Sequence, residues 1–228
     1  MTLDLIVRGG TLATQEGLAR TDLGIRDGRI AVLGADLRGR EMLDATGKLV
    51  LPGVIDVHTH MASQAGSAVS SDDFISGTQA AAAGGVTTII DFTAAARGRR
   101  LCDDIAQRVE QARAAIIDVA LHAEVIHWAP GREEEIEEAI REGVTSFKFY
   151  MAYGSLGQRS HTGDLYHAFR AIGDAGGLAM VHAEDDPIIE SMLERMGADD
   201  LKSMRSLPHG RPDVSEGLAI TEAAYLAE

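Results

Sequence analysis

The feature that most constrains this chain is a recurring junction in which a helix ends on glycine and an apolar strand follows at once. It occurs as AAAAGGVTT, AIREGVTS and AIGDAGGLAM. The strands begin roughly thirty residues apart, which is the length of a βαβ unit. Continuous apolar strands covered by helices favour a parallel sheet. The sequence therefore predicts an α/β fold, either a (β/α)₈ TIM-type barrel or a doubly wound open sheet. No G-x-G-x-x-G follows the first strand, which weakens the second alternative.

The same rhythm predicts the order of the elements from residue 51 onward. Strands are predicted at 54–60, 86–93, 116–126, 144–153 and 178–184. Helices are predicted at 71–85, 102–115, 132–143, 162–177, 186–198 and 212–228. Ser71 or Asp72 is the expected N-cap of the first helix. These assignments give about five βα units.

Residues 1–50 have a different pattern of short alternating runs separated by turn residues. The segment RDGR (26–29) carries the Asp-Gly signal of a tight hairpin. We therefore expect a small antiparallel β unit over 1–50 and a separate (β/α) domain over 51–228.

Charge and composition exclude several classes of function. A formal net charge of −14, with no basic stripe, argues against nucleic-acid and anionic-membrane partners. No apolar run approaches the roughly 20 residues of a membrane span, and the N-terminus lacks a signal-peptide pattern. Cys102 is the single cysteine, so an intrachain disulfide cannot form. These features predict a cytoplasmic protein.

Polar residues gather where the predicted strands end, and this is the edge at which parallel α/β proteins bind ligands. His58 and His60 end the first strand, and His182 ends the fifth. Alternation sends residues i and i+2 to the same face, so His58 and His60 point the same way. Neutral imidazole is a ligand suited to zinc and similar ions. The sequence predicts a metal site here, with His182 as a further candidate ligand.

A lysine lies within the apolar run TSFKFYMAY (145–153). A buried ammonium costs several kcal/mol unless it is paired or deprotonated. Lys148 therefore either extends to a wet edge or is used by the site. A neutral amine adds carbon dioxide to become a carbamate, and such a carboxylate can bridge two cations. The neighbouring histidines favour this second interpretation.

The segments DVHTH, FKFYMAY and MVHAED, in this order and spacing, resemble the cyclic amidohydrolases, and above all their dihydropyrimidinase/hydantoinase branch. GGVTTIIDF (84–92) and the N-terminal LIVRGGTL and RDGRIAVLG are also similar to that branch. The resemblance covers essentially the whole chain. Its most specific part is Lys148-x-x-x-x-Tyr153, because the tyrosine separates this branch from allantoinases and dihydroorotases.

The resemblance implies a (β/α)₈ barrel with a small β-sandwich built from both chain ends, and a site with two divalent metal ions, usually zinc. It implies that His58 and His60 bind the more buried ion and His182 the more exposed one. Carboxylated Lys148 would bridge both ions. A hydroxide held between them would open a hydantoin or 5,6-dihydropyrimidine ring, while Tyr153 donates to the resulting oxyanion.

The resemblance also implies a binding pocket and an assembly. Tyr150, Met61 and the loops at 61–71 and 154–161 would surround the ring substituent of a small cyclic amide. Members of this family are often homotetramers, so a homo-oligomer is expected.

The family pattern is incomplete in this chain. Its next metal-binding histidine and its catalytic aspartate, on strands six and eight, would lie beyond Glu228. A barrel alone needs ~250 residues. We therefore expect an N-terminal portion of a longer enzyme, or a chain completed by another, that self-associates when alone. The alternatives are an allantoinase or dihydroorotase, against which Tyr153 argues, and a non-catalytic oligomeric homologue.

The remaining candidates are predicted to have supporting roles. His122 is expected to be structural, and Asp91 and Glu184 are hypothesised to orient the ligand histidines. Four further histidines are expected on loops or helix surfaces: His127, His161, His167 and His209.

Overall fold

A computed structural model describes residues 2–65 and 68–228. The chain divides into two compact units, one ending at Val54 and one comprising Ile55–Glu228. Residues 66 and 67, which belong to the predicted pocket loop 61–71, lie outside the described residues. No helix among the described residues is long and apolar enough to cross a membrane.

The first unit contains two small sheets. Its strands are β1 (Leu3–Arg8), β2 (Thr11–Thr14), β3 (Gly17–Arg20), β4 (Asp22–Arg26), β5 (Arg29–Gly34), β6 (Gly39–Asp44) and β7 (Leu49–Val50). One sheet has the order β5-β4-β1-β6 and the other has the order β3-β2-β7.

The hairpin predicted at RDGR is confirmed. Asp27 and Gly28 have φ values of 52° and 70° and join the antiparallel pair β4–β5. Positive φ at both central residues is what a type I′ turn requires. The expectation that the whole unit is antiparallel is wrong, because β1 pairs with β6, and β2 with β7, in parallel. Alternation specifies which side chains share a face, but it does not specify the direction of the partner strand.

The second unit alternates strands and helices. Its strands are β8 (Val54–Thr59), which begins at the last residue of the first unit, β9 (Gln64–Ala65), β10 (Ala68–Val69), β11 (Val86–Phe92), β12 (Asp118–Glu124), β13 (Ser146–Tyr150) and β14 (Leu178–His182). Its α-helices are α1 (Phe74–Ala83), α2 (Leu101–Ala112), α3 (Arg132–Arg141), α4 (Thr162–Asp174), α5 (Asp186–Glu194), α6 (Leu207–Gly210) and α7 (Asp213–Leu226). Short 3₁₀ turns occupy Gly154–Leu156, Asp200–Lys202 and Met204–Ser206.

The main sheet has five strands in the order β14-β13-β12-β11-β8. The neighbours from β11 to β14 pair in parallel. Spatial order follows chain order without a reversal, whereas a doubly wound sheet reverses at its switch point. The predicted α/β fold is confirmed as a parallel half-barrel of five strands. The full eight-stranded barrel and the β-sandwich identity of residues 1–50 stay predictions.

Two predicted boundaries are wrong in ways that matter for the site. The first helix begins at Phe74, and its N-cap is Asp73 rather than Ser71 or Asp72. The Asp73 carboxylate accepts from the backbone of Ser76, and the Ser76 hydroxyl accepts from the backbone of Asp73, which is a reciprocal capping box. The strand predicted over 144–153 ends at Tyr150, so Tyr153 lies beyond it.

The core lies between the sheet and its covering helices. Phe147 and Phe149 of β13 are fully buried among apolar residues of α2, α3 and α4. Side chains alternate along a strand, so Ser146, Lys148 and Tyr150 face the opposite side of the sheet. The helix-covered face is therefore apolar, whereas the other face carries ionisable groups.

Candidate active site

His58 and His60 converge as the sequence predicts. Their Nε2 atoms lie 3.2 Å apart. Two nitrogens bound to one tetrahedral zinc at about 2.05 Å would be separated by roughly 3.3 Å. Both rings pack on Phe92, with centroid distances of 4.6 Å and 4.7 Å. The pair therefore has the spacing of two ligands of one ion.

The electrostatic surroundings favour neutral imidazoles, which is the form that binds a metal. Desolvation lowers the pKa of His58, and the positive charges of His60 and Lys148 lower it further. Desolvation also lowers the pKa of His60, although the Asp91 carboxylate opposes this shift. The donor set thus fits a zinc-like ion.

Lys148 is buried, with 7% of its surface exposed. Its Nζ lies 5.9 Å from the centre of the Phe92 ring, on which the histidines pack, and 5.4 Å from the centre of the Tyr150 ring. Burial lowers the pKa of Lys148, and the nearby Glu124 carboxylate only partly offsets this. Burial therefore disfavours the ammonium and eases the loss of its proton, which the second interpretation needs.

His182 lies next to Tyr153, with ring centroids 4.8 Å apart. Its Nε2 is 2.5 Å from the Glu184 carboxylate, which can only accept from a histidine N–H, so Nδ1 is the nitrogen left for a ligand. Glu184 is also paired with Arg211. Glu184 is therefore bonded to His182, and its role in orienting a ligand histidine stays a hypothesis.

The predicted order of burial is not evident among the described residues. His58 and His60 are exposed, whereas His182 is half-buried. Among these residues, no third histidine, cysteine or carboxylate places a ligand atom within 4.8 Å of both members of the pair. His182 is thus separate from the pair, and which predicted ion is the more buried stays a prediction.

Tyr153 has a left-handed backbone with φ 67°, which is rare for an aromatic residue. The chain turns here because Tyr150 O accepts from Ser160 N at 2.7 Å and closes the loop 154–161 onto the strand. The buried Asp186 carboxylate accepts from Gly154 N at 3.1 Å and pairs with Arg159. These contacts hold the backbone on both sides of Tyr153.

A cavity of about 640 Å³ opens beside these groups. It is lined by residues from both predicted loops and from the strand ends: His60, Ser63, Gln64, Ala68, Val69, Ser70, Tyr150, Tyr153, Leu156 and Gln158. Met61 does not line it. The Met61 sulfur instead lies so close to Gly77 of α1 that a Cβ there would come within 2.3 Å, and its predicted contact with substrate stays a prediction.

Two polar side chains on the face of the sheet opposite the helices already form hydrogen bonds within the protein. The Tyr150 hydroxyl donates to Glu124 at 2.5 Å, so Tyr150 offers mainly its ring to the cavity. His122 Nε2 donates to Val57 O at 3.0 Å, and its Nδ1 lies 2.5 Å from Ser146 Oγ. With both nitrogens bonded, His122 has the structural role that the sequence predicts. The four histidines expected on the surface are exposed.

Arg108 is the residue that sequence reasoning missed. It lies on α2 with 5% of its side chain exposed and forms an ion pair with the fully buried Asp91. Among the described residues, Asp91 forms no hydrogen bond with an imidazole, and it bonds to Thr59 and Met61, on either side of His60. The sequence did indicate that Arg108 is buried, because Leu101, Ile105 and Arg108 lie at i, i+4 and i+7 on the buried face of α2.

A second cluster, formed by Cys102, Glu138 and Glu142, also has ligand atoms within 4.8 Å of one another. Arg100 already pairs with Glu138, and burial raises the pKa of the Cys102 thiol to about 11. A thiol that stays protonated is a poor metal ligand. The strand-end residues are therefore the better candidate site.

Comparison with known proteins identifies the family. A model of the Amidohydrolase family matches residues 49–213. The chain is 39% identical over 227 residues to a D-hydantoinase from Geobacillus stearothermophilus, covering 98% of this chain and 48% of that protein. It is 35% identical over 232 residues to a dihydropyrimidinase from Rattus norvegicus, covering 98% of this chain and 44% of that protein.

Solved structures give the same result. A crystal structure of D-hydantoinase superimposes with a TM-score of 0.92 at 37% identity, covering 97% of this chain and 49% of that chain. An L-hydantoinase (dihydropyrimidinase) from Arthrobacter aurescens gives a TM-score of 0.85 at 29% identity, covering 99% of this chain and 50% of that chain. The chain spans about half the length of the curated relatives it matches. The match to the family model covers most of this chain and confirms the resemblance, so the chain belongs to the amidohydrolase family.

Proposed function

We propose that this chain carries part of the active site of a hydrolase that opens a cyclic amide, such as a hydantoin or a 5,6-dihydropyrimidine. The observation that carries the proposal is the 3.2 Å separation of the His58 and His60 nitrogens, at the strand-end edge that also carries the buried Lys148. The names of the similar proteins, D-hydantoinase and dihydropyrimidinase, supply the substrate class.

The residues present would hold two divalent ions, with zinc as the expected metal. His58 and His60 would bind one ion, and His182 would bind the other through Nδ1. When bound, such ions lower the pKa of a water molecule and polarise a carbonyl group. The proposal assigns this Lewis-acid chemistry to the ring amide of the substrate.

Lys148 would bridge the ions as a carbamate. Its neutral amine attacks carbon dioxide, an N–C bond forms, one C–O π bond opens to an oxyanion, and the nitrogen releases one proton. Burial favours the amine that this addition needs, because it lowers the pKa of Lys148. The product is a carboxylate on a long arm.

Tyr153 would stabilise the transition state, and the cavity would select the substrate. The Tyr153 hydroxyl is proposed to donate to the oxyanion that develops as the ring amide is attacked. The ring of Tyr150 and, as predicted from the sequence, Met61 would contact the ring substituent. The bonds to Gly154 and Ser160 support the proposal, since they fix the backbone on either side of Tyr153.

The carbamate can be tested directly with ¹³C-labelled bicarbonate and zinc. We expect a protein-bound carbamate signal in the ¹³C spectrum of the wild-type chain. Lys148→Ala should lose the signal, and the matched control Lys202→Ala, at an exposed lysine, should retain it. A signal that survives Lys148→Ala would contradict this role.

The reaction is tested on the same samples. Ring opening of hydantoin and dihydrouracil is followed by loss of ultraviolet absorbance, with allantoin and dihydroorotate as competing substrates. The proposal predicts that any activity requires zinc and is lost in Lys148→Ala and Tyr153→Phe. Turnover of allantoin or dihydroorotate alone would reassign the substrate, and activity that persists in Lys148→Ala without an added carboxylate would exclude the carbamate.

A further inference from the structure

Asp91 bonds to the residues on both sides of His60 and forms no hydrogen bond with the His60 ring. The carboxylate lies near the end of β11 and is fully buried. Its Oδ2 accepts from Thr59 Oγ1 and from Met61 N, each at 2.9 Å. The residues immediately before and after His60 are therefore bound to one carboxylate oxygen.

Arg108 closes this bridge from the opposite side. Its Nε donates to Asp91 Oδ1 at 2.8 Å, and its Nη2 donates to Met61 O at 2.5 Å. Its Nη1 donates to Gln111 Oε1 at 2.8 Å, and its guanidinium lies over the Phe74 ring at 4.7 Å. Met61 is consequently held at both its backbone N–H and its carbonyl group.

The cost of such a pair suggests why it is present. A buried ion pair adds little net stability, because desolvation of both charges offsets their attraction. Strand β8 also gains little from packing, since Ile55 and Val57 are 58% and 56% exposed. The packing of Ile55 and Val57 therefore contributes little, and the end of the strand is held by the bonds to Asp91 and Arg108 in addition to its pairing with β11 and the contacts of both histidine rings with Phe92.

We infer that Asp91 and Arg108 are positioning residues that hold His60 at the metal-ligand spacing from His58, acting through the backbone of Thr59 and Met61. The inference rests on the proposed function, because it assumes that the pair binds a metal ion. It differs from the usual carboxylate–histidine support, in which the carboxylate bonds to the imidazole itself.

The test is Co²⁺ binding, followed by its visible absorption as a stand-in for zinc. We expect Arg108→Met to weaken Co²⁺ binding by about 10-fold or more, the usual effect of removing a supporting partner. The matched control is Arg132→Met. Arg132 is also a buried arginine, but it pairs with Glu135 and bonds to the carbonyls of Arg99 and His127, away from the histidine pair. Its removal should destabilise the chain while leaving Co²⁺ affinity and the cobalt spectrum unchanged.

A less disruptive variant covers the case in which Arg108→Met does not fold. Thr59→Val keeps the shape of the side chain and removes only the hydroxyl bond to Asp91, and it should also weaken Co²⁺ binding and alter the cobalt spectrum. Arg108→Lys, which keeps the charge, should recover part of the affinity lost in Arg108→Met. The inference is overturned if Arg108→Met or Thr59→Val binds Co²⁺ as Arg132→Met does, or if the wild type shows no saturable binding.

Failure of the proposed function would look different. If the contrast between Arg108→Met and Arg132→Met holds but the zinc-loaded chain forms no ¹³C-labelled carbamate that Lys148→Ala removes, the proposed use of the site is wrong and the positioning role stands.

Discussion

Strands β13 and β8 both place a candidate ligand on an apolar run, yet their surroundings are opposite. In β13, Phe147 and Phe149 are 0% exposed, and Lys148 lies between them. In β8, Ile55 and Val57 are more than half exposed, and His58 follows them at the edge of the sheet. Similar residue patterns therefore occupy a packed centre and an open edge of the same sheet.

The difference shows two ways of fixing a functional side chain. The position of Lys148 is set by side-chain packing, because both neighbours on its strand are locked into the core. The position of His60 depends on hydrogen bonds from a buried charged pair. A change in core volume should therefore disturb the lysine, whereas a change in one buried charge should disturb the histidines.

The largest expected effect is on the free energy of unfolding, and it should differ between β13 and β8. Phe147→Ala should lower the free energy of unfolding by about 3–5 kcal/mol, since it leaves a cavity in a packed core. Val57→Ala should cost less than about 1 kcal/mol, because most of that side chain is already in water. Urea denaturation of both variants measures the contrast, and similar losses would show that β8 is as well packed as β13.

Lys148→Met should stabilise the chain at pH 7 in carbon dioxide-free buffer, because burial penalises the ammonium. Below the depressed folded pKa of Lys148 the fold buries an ammonium, and this penalty is fully present. As the pH rises toward 10.5, the folded state releases its proton while the unfolded state keeps it, so the wild type gains stability and the advantage of methionine shrinks.

Urea denaturation at pH 7 and at pH 10 checks this sign. Lys202→Met, at an exposed site, is the control and should show no such pH dependence. An advantage of Lys148→Met that grew with pH would mean that the fold stabilises the ammonium.

The open edge should also cause self-association. Strand β8 exposes apolar side chains, since Ile55 and Val57 are 58% and 56% exposed. Ile55→Lys and Val57→Lys should shift the mass measured by light scattering toward the monomer, because charges on an edge strand oppose strand pairing. Val109→Lys, an exposed apolar residue on α2, is the control. If neither β8 variant reduced the measured mass, the surface that mediates association would lie elsewhere.

The smallest effect is the acid dependence contributed by the histidine pair. Both folded pKa values lie below 6.5, so as the pH falls below 6.5 the unfolded chain binds protons first and stability is lost. A His58→Asn/His60→Asn variant should lose less stability than the wild type between pH 7 and pH 5. Thermal melts across this range measure the difference, and parallel curves would contradict the depressed pKa values.

The sequence was sufficient for features that depend on periodicity. The helix–glycine–strand junctions predicted the parallel sheet, and the His-x-His spacing predicted two imidazoles on one side of a strand end. Lys148 was conspicuous because a charge within an apolar run needs an explanation. Each of these signals is local, so one segment contains all the information.

Features that depend on long-range pairing could not be predicted. Asp91 and Arg108 are 17 residues apart and belong to different elements, and nothing local joins them. The parallel pairing of β1 with β6 likewise depends on the path of the chain between them. Tyr153 lies outside the strand because Ser160 closes the loop onto Tyr150. The apolar run 145–153 gives no sign of this contact.

Zinc content per chain is the decisive measurement for the His58–His60 site. The wild-type chain is dialysed against zinc, and elemental analysis compares it with His58→Asn/His60→Asn and with His127→Asn/His209→Asn, a control at two exposed histidines. We expect the wild type and the control to bind zinc and the first variant to lose about one equivalent, the ion that the pair would hold. Equal zinc content in all three proteins, or none in the wild type, would contradict this expectation.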